Sequence, residues 1–166
     1  MNGAAAVGAR APDFDVPLVG GGRIFRDDLV RAGGGVLLFV KGDCPASELV
    51  ASRVWPLVRA LARGDRPFLA VFQGEEGAAR DFRAALGVSL PLAHEAAPFA
   101  VSRAYEVNVV PTLFVLDGAG SIAGRLEGFH RSEYIALGAS LQRALALGGQ
   151  PPVLDRPEEL PEVRPG

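Results

Sequence analysis

One stretch, Val36-Leu37-Leu38-Phe39-Val40-Lys41-Gly42-Asp43-Cys44-Pro45-Ala46-Ser47, constrains the fold of this chain more than any other. The run from Val36 to Val40 is apolar throughout and reads as a strand buried on both faces, since a half-solvated strand would alternate. A short polar turn follows, then the chain's one cysteine, a proline and a long helical pattern. The unit is a strand that delivers a thiol to the start of a helix. Backbone N–H groups and the helix dipole at that place favour the thiolate, the reactive form of cysteine.

The helical pattern after Cys44 carries Val50, Val54, Leu57, Val58 and Leu61 on one stripe. Pro45 fits the first turn, where its missing N–H costs nothing. Pro56 falls inside the pattern and predicts a kink, because it removes a backbone bond and crowds the carbonyl before it. Phe68 to Phe72 is a second buried strand. Glu75 to Leu86 predicts a helix with Ala78, Phe82, Ala85 and Leu86 facing inward and Gly87 as its stop. Pro98 to Tyr105 predicts a short helix. Thr112 to Leu116 and Ser121 to Leu126 form a hairpin around Asp117-Gly118-Ala119-Gly120. Ser132 is the expected cap of a last helix with Ile135, Gly138, Leu141 and Leu145 inward.

Upstream, Pro12 to Val16 and Arg23-Ile24-Phe25 are extended on either side of Gly20-Gly21-Gly22, and Asp27 to Arg31 forms a turn or two of helix. The order β-α-β-α, then hairpin and helix, predicts an α/β fold. Its central mixed β-sheet is flanked by helices on both faces, with right-handed crossovers in the first half.

The 166 residues suit one domain. Residues 1–8 are small and unpatterned and are expected to be flexible; 9–147 form the domain. From Gly148 the composition turns rich in proline and acid, so 148–166 reads as a tail. It is either a flexible arm or a segment lying extended on the domain surface. The formal net charge of −2 and scattered arginines argue against a nucleic-acid surface. A single cysteine excludes an intramolecular disulfide and a cysteine-based zinc cluster. Met1 to Val7 lacks the pattern of a signal peptide. No apolar segment approaches the roughly 18 residues that span a bilayer. The expectation is a cytoplasmic protein with no cofactor, nucleic-acid or membrane partner.

Several of these segments, in this order, resemble the thioredoxin-like superfamily, and most closely its redoxin branch of alkyl hydroperoxide reductase/thiol-specific antioxidant proteins. They are the Gly8-Ala9-Arg10-Ala11-Pro12-Asp13-Phe14 opening, the strand–Cys44-Pro45-Ala46-Ser47–helix unit, Pro98 to Tyr105, and Val110-Pro111-Thr112-Leu113-Phe114-Val115-Leu116-Asp117. The resemblance spans residue 8 to about 146 and implies a thioredoxin-like fold. It implies a cis Val110–Pro111 bond beside Cys44, with the Val110 backbone free to pair with an extended peptide or thiol substrate.

The chain departs from the family's better-known sites. Ser47 stands where dithiol members carry the resolving cysteine, so any exchange is monothiol and the second thiol comes from another molecule. Leu38 stands near the place of the acid that thioredoxins bury behind their thiols. Lys41 and Leu37 occupy the places of the threonine and proline that precede a peroxidatic cysteine, and Pro111 falls near its arginine. A typical peroxiredoxin site is lacking.

These residues support readings of different classes. The first is a monothiol thiol–disulfide oxidoreductase. Cys44 attacks a protein disulfide, a glutathione-type mixed disulfide or a sulfenic acid, and Lys41 and the helix start favour its thiolate. Ser47 bonds the sulfur from one turn away, and Val110, Pro111 and Pro45 meet the substrate. The second is a non-catalytic module that binds a peptide or partner at the Pro111 groove. A weaker third is an iron–sulfur cluster shared between two chains, as in some monothiol glutaredoxins.

Each residue also has a plainer reading. Cys44 could be a buried, inert cysteine, although a helix start after Gly-Asp is expected at the surface. Ser47 could be a small polar residue at a helix start, and Pro111 merely structural. His94 and His130 read as loop residues and Trp55 as core. A sulfur exposed and adjacent to Pro111 keeps the oxidoreductase alive; a sulfur packed under side chains would end it.

Overall fold

The structure is a computed structural model that describes residue 3, residues 5–152 and residues 154–166. A hairpin of β1 (Asp15–Pro17) and β2 (Arg23–Phe25) leads through α1 (Arg26–Arg31) into β3 (Gly34–Val40). Then come α2 (Pro45–Arg53), α3 (Trp55–Arg63), β4 (Phe68–Gln73), α4 (Glu76–Leu86), β5 (Leu92–Glu95) and α5 (Ala100–Ala104). The chain continues with β6 (Thr112–Asp117), β7 (Ile122–Glu127), β8 (Phe129–His130), α6 (Arg131–Ala144) and β9 (Val163–Arg164). The central sheet is five-stranded in the order β5-β4-β3-β6-β7. β3, β4 and β5 are parallel, while β6 and β7 add antiparallel strands, so the sheet is mixed as expected.

Strand periodicity divides the core. Val36, Leu38 and Val40 face one cluster with residues of α2, α3, α4 and α6. Leu37 and Phe39 face the other, with Leu29 of α1, Val101 of α5 and Cys44 itself. Residues two apart on a strand share a face, so one apolar run supplies both layers. Each fully buried Leu or Phe contributes about 1.5–3 kcal/mol relative to exposure.

Pro56 divides the long helical pattern instead of bending it. α2 ends at Arg53, and Val54 caps both α2 and α3. The Val54 N–H still donates to Val50 (3.0 Å) and the Val58 N–H to Val54 (2.9 Å), so the two helices remain nearly continuous. The predicted stripe of Val50, Val54, Leu57, Val58 and Leu61 is buried. Trp55 is only partly buried and packs against the edge of that cluster.

Two helical faces differ from expectation. In α4 the inward residues are Ala79 and Phe82, and Ala78 and Ala85 are exposed. In α6 they are Tyr134, Leu137, Gly138 and Leu141, and Ile135 is 53% exposed. Alanine carries too little apolar weight to fix a helix's rotation, and Phe82 and Tyr134 set it instead. The helix begins at Arg131 with His130 as its cap residue, not Ser132.

The ends of the chain are more ordered than the composition suggests. Ala5 is buried, and the Gly8 N–H donates to the Ile122 carbonyl (2.8 Å), so this part of residues 1–8 is packed, not flexible. Met1, Asn2 and Ala4 lie outside the described residues.

The tail lies extended on the domain, the second of its two readings. Leu154 and Leu160 are buried in the cluster beneath α6. Arg53 faces Asp155 (3.5 Å) and Glu159 (3.6 Å). The backbone of Pro152 lies so close to Gly138 that a Cβ there would run into the Pro152 carbonyl. The tail then pairs with β8 through β9.

Candidate functional site

The parallel strands end at one edge of the sheet, and there the chain turns from β3 into α2. Asp43 takes a left-handed conformation (φ 53°), which Asp tolerates better than most residues. That turn places Cys44 as the N-cap of α2. Its sulfur accepts a hydrogen bond from the Ser47 backbone N–H at 3.4 Å. The thiol in turn donates to the Val110 carbonyl at 3.5 Å.

Val110 arrives from the other half of the chain. The Val110–Pro111 bond is cis. The turn is closed by the Thr112 hydroxyl, which donates to the Val109 carbonyl (2.8 Å), while the Pro111 carbonyl accepts from the Gly128 N–H (2.8 Å).

The structure thus brings Cys44, Ser47, Val110 and Pro111 together at one point. Lys41 and Pro45 sit on the exposed turn to either side. The contacts differ from those expected. The Ser47 hydroxyl does not reach the sulfur; it accepts from the Lys41 backbone N–H (3.3 Å) and ties the turn to the helix. The backbone N–H of Ser47 makes the contact to sulfur, so any residue there except proline would supply it. Lys41 joins this network through its backbone.

Two further expectations are corrected. Cys44 is not at the surface: it is 4% exposed and belongs to the apolar cluster with Phe39 and Phe114. Nor is the Val110 backbone free. A Cβ built on Gly166 would collide with the Val110 carbonyl, so the end of the tail lies directly against it.

The histidines stand on strands, His94 in β5 opposite Phe72 and His130 in β8. The hydrogen-bond partners of the Cys44 side chain are the Ser47 N–H and the Val110 carbonyl, not an imidazole. Among the described residues, no group of three or more His, Cys, Asp or Glu side chains is placed to hold a metal ion. No described helix is long and apolar enough to cross a membrane.

Sequence reasoning missed the groups that fix α5, the helix that leads into the Val110 loop. Glu95, 7% exposed, accepts from the Val101 and Ser102 backbone N–H groups, each at 2.9 Å, and from the Ser102 hydroxyl. Gln73 donates to the same hydroxyl (2.9 Å). This buried carboxylate caps α5. After α5, Tyr105 packs against Phe14, Phe39 and Phe114 and donates to the Pro12 carbonyl (2.8 Å). Burial pushes the Tyr105 phenol above its ordinary range, so it remains a donor. A glutamate five residues before the helix it caps leaves no local signal; only tertiary contact reveals it.

With this geometry in place, the chain belongs to the AhpC/TSA family, whose match covers residues 7–125. A search of the curated proteins returns no match. Among solved structures it is similar to a candidate thiol:disulfide interchange protein DsbE from Chlorobium tepidum, at 23% identity and TM-score 0.73, covering 82% of this chain and 95% of that one. It is also similar to a candidate protein disulfide isomerase from Bacteroides thetaiotaomicron, at 17% identity and TM-score 0.78, covering 89% and 96%. A thiol:disulfide interchange protein of the thioredoxin family from Chlorobium tepidum TLS aligns at 18% identity and TM-score 0.67, covering 82% and 95%. These likenesses show a thioredoxin-like fold. The family match ends within β7, so β8, α6 and the tail lie beyond it.

Proposed function

We propose that this chain is a thiol–disulfide oxidoreductase that works through Cys44 alone, with the resolving thiol supplied by another molecule. The observation that carries the reading is the position of the Cys44 sulfur. It lies between the Ser47 backbone N–H of α2 and the Val110 carbonyl that precedes Pro111. The Ser47 N–H donates to the sulfur that would attack, and the Val110 main-chain edge, once the end of the tail moves off it, would align an extended substrate by backbone pairing. Membership of the AhpC/TSA family and the names of the structural neighbours support the same chemistry.

The reaction balances as two exchanges. The Cys44 thiolate attacks one sulfur of a substrate disulfide; a Cys44–sulfur bond forms, the substrate S–S bond breaks, and the leaving thiolate takes a proton. An external thiol of the glutathione class then attacks the mixed disulfide. Cys44 leaves as thiolate, and a second external thiol reduces the released disulfide. Lys41 and Pro45, exposed beside the thiol, would meet the substrate.

The test is turnover of a peptide–glutathione mixed disulfide with glutathione as reductant. Activity lost in Cys44→Ala and kept in Ser47→Ala supports the reading. No turnover by the native chain refutes it.

A second reading has its own observation. Cys44 is 4% exposed and its thiol donates to a carbonyl, a bond only the protonated form can make. A non-catalytic module that binds a peptide beside Pro111 would need no more. Cys44→Ala with unchanged biological activity would favour it.

A further inference from the structure

We propose that residues 162–166 are a strap that closes the Cys44 site, and that thiol chemistry requires its release. The proposal rests on the oxidoreductase reading and adds a regulation to it.

The path of the tail carries the inference. Leu160 is its last buried anchor, and the side chains of residues 161–166 are all exposed. Beyond Leu160 the segment is held by main-chain contacts and one arginine. Phe129 pairs with Arg164 and His130 with Val163 in a two-stranded antiparallel ladder. The Arg131 N–H donates to the Glu162 carbonyl (2.8 Å), and its guanidinium donates to the Leu160 carbonyl (2.8 Å).

This ladder points the chain past Gly128 and sets Gly166 on the Val110 carbonyl, the same oxygen that accepts from the Cys44 thiol. The strap therefore holds the main-chain edge that an extended substrate would use. The site is shut by a segment with no buried side chain of its own. Such segments open at low free-energy cost while the rest of the fold stays formed. Leu160 and Leu154 keep the remainder of the tail docked, so release is local.

Gly166 also gives a means of prying the strap loose. No other residue fits against Val110, because any Cβ meets the carbonyl. A substrate strand that pairs with Val110 must displace the strap, and the apparent reactivity of Cys44 is scaled by the fraction of molecules that are open.

The experiment measures the rate at which Cys44 reacts with 5,5′-dithiobis(2-nitrobenzoate). It compares the full chain, a chain ending at Pro161, and the full-length Gly166→Ala variant. The expected result is a rate at least about tenfold higher in the shortened chain, with a smaller rise in Gly166→Ala. Equal rates in the shortened and full chains overturn the strap if both melt at the same temperature. If the shortened chain melts lower, Gly166→Ala decides, and an unchanged rate there overturns it. Disulfide turnover is followed in parallel. Faster labelling without turnover keeps the strap and refutes the oxidoreductase; turnover with equal labelling refutes the strap alone.

Discussion

Two helices start from the same edge of the sheet, α2 after β3 and α5 beyond β5, and their first turns are capped in opposite ways. At α5 the buried Glu95 carboxylate accepts two backbone N–H groups at 2.9 Å and a serine hydroxyl. At α2 the cap is a sulfur that accepts one N–H at 3.4 Å. A carboxylate is a strong, charged acceptor, whereas a neutral thiol is a weak one. The α5 start is satisfied and fixed. The α2 start keeps a cap that is weak as a thiol and gains strength only as a thiolate. The first fixes the helix that leads into the Val110 loop; the second leaves the start of α2 with a weak cap.

The contrast is sharpest in stability. Glu95→Ala removes the shared acceptor of the Val101 and Ser102 amides, and we expect a loss of about 3 kcal/mol in urea unfolding. Cys44→Ala should cost less than half of that. Equal losses would mean that the two caps do the same job.

Gly138→Ala tests the docking that carries the tail toward the site. Alanine is the better helix former by about 1 kcal/mol. Even so, its Cβ meets the Pro152 carbonyl, so we expect a net destabilisation of about 1 kcal/mol from the forced shift. A more stable variant would show that the tail does not press on α6.

Ser47→Ala should have the smallest effect. It removes the acceptor of the Lys41 N–H on the exposed turn, for about 1 kcal/mol or less. The backbone N–H on the sulfur remains, so the labelling rate of Cys44 should change less than about twofold. A large fall in that rate would return the hydroxyl to the role that the sequence suggested.

The main elements were legible because their signals are local. Val36 to Val40, Phe68 to Phe72 and Leu113 to Leu116 are uninterrupted apolar runs, and each became part of a buried strand of the central sheet. Pro56 marked an irregularity in the helical pattern, read as a kink where the structure has a break at Val54. The meeting of Cys44 with Val110 and Pro111 came through family resemblance, not spacing, since 66 residues separate the bonded pair.

What escaped was tertiary. The faces of α4 and α6 turned on Phe82 and Tyr134 outweighing alanine and isoleucine. Glu95 carried no signal in the sequence that marked it as a buried cap. The tail gave only scattered leucines in a proline-rich background, yet Leu154 and Leu160 are buried and Gly166 lies on the Val110 carbonyl. The exposure of Cys44 was misjudged for that reason: the local turn is a surface turn, and the groups around it come from distant parts of the chain.

The central claim is that Cys44 is a working redox thiol behind a removable cover. The most direct test exposes the full chain and the chain ending at Pro161 to glutathione disulfide and measures intact mass over time. The expected result is one glutathione adduct per chain, located at Cys44, reversed by added glutathione, and formed faster in the shortened chain. No adduct in either chain, under conditions where a free cysteine peptide is modified, would contradict it.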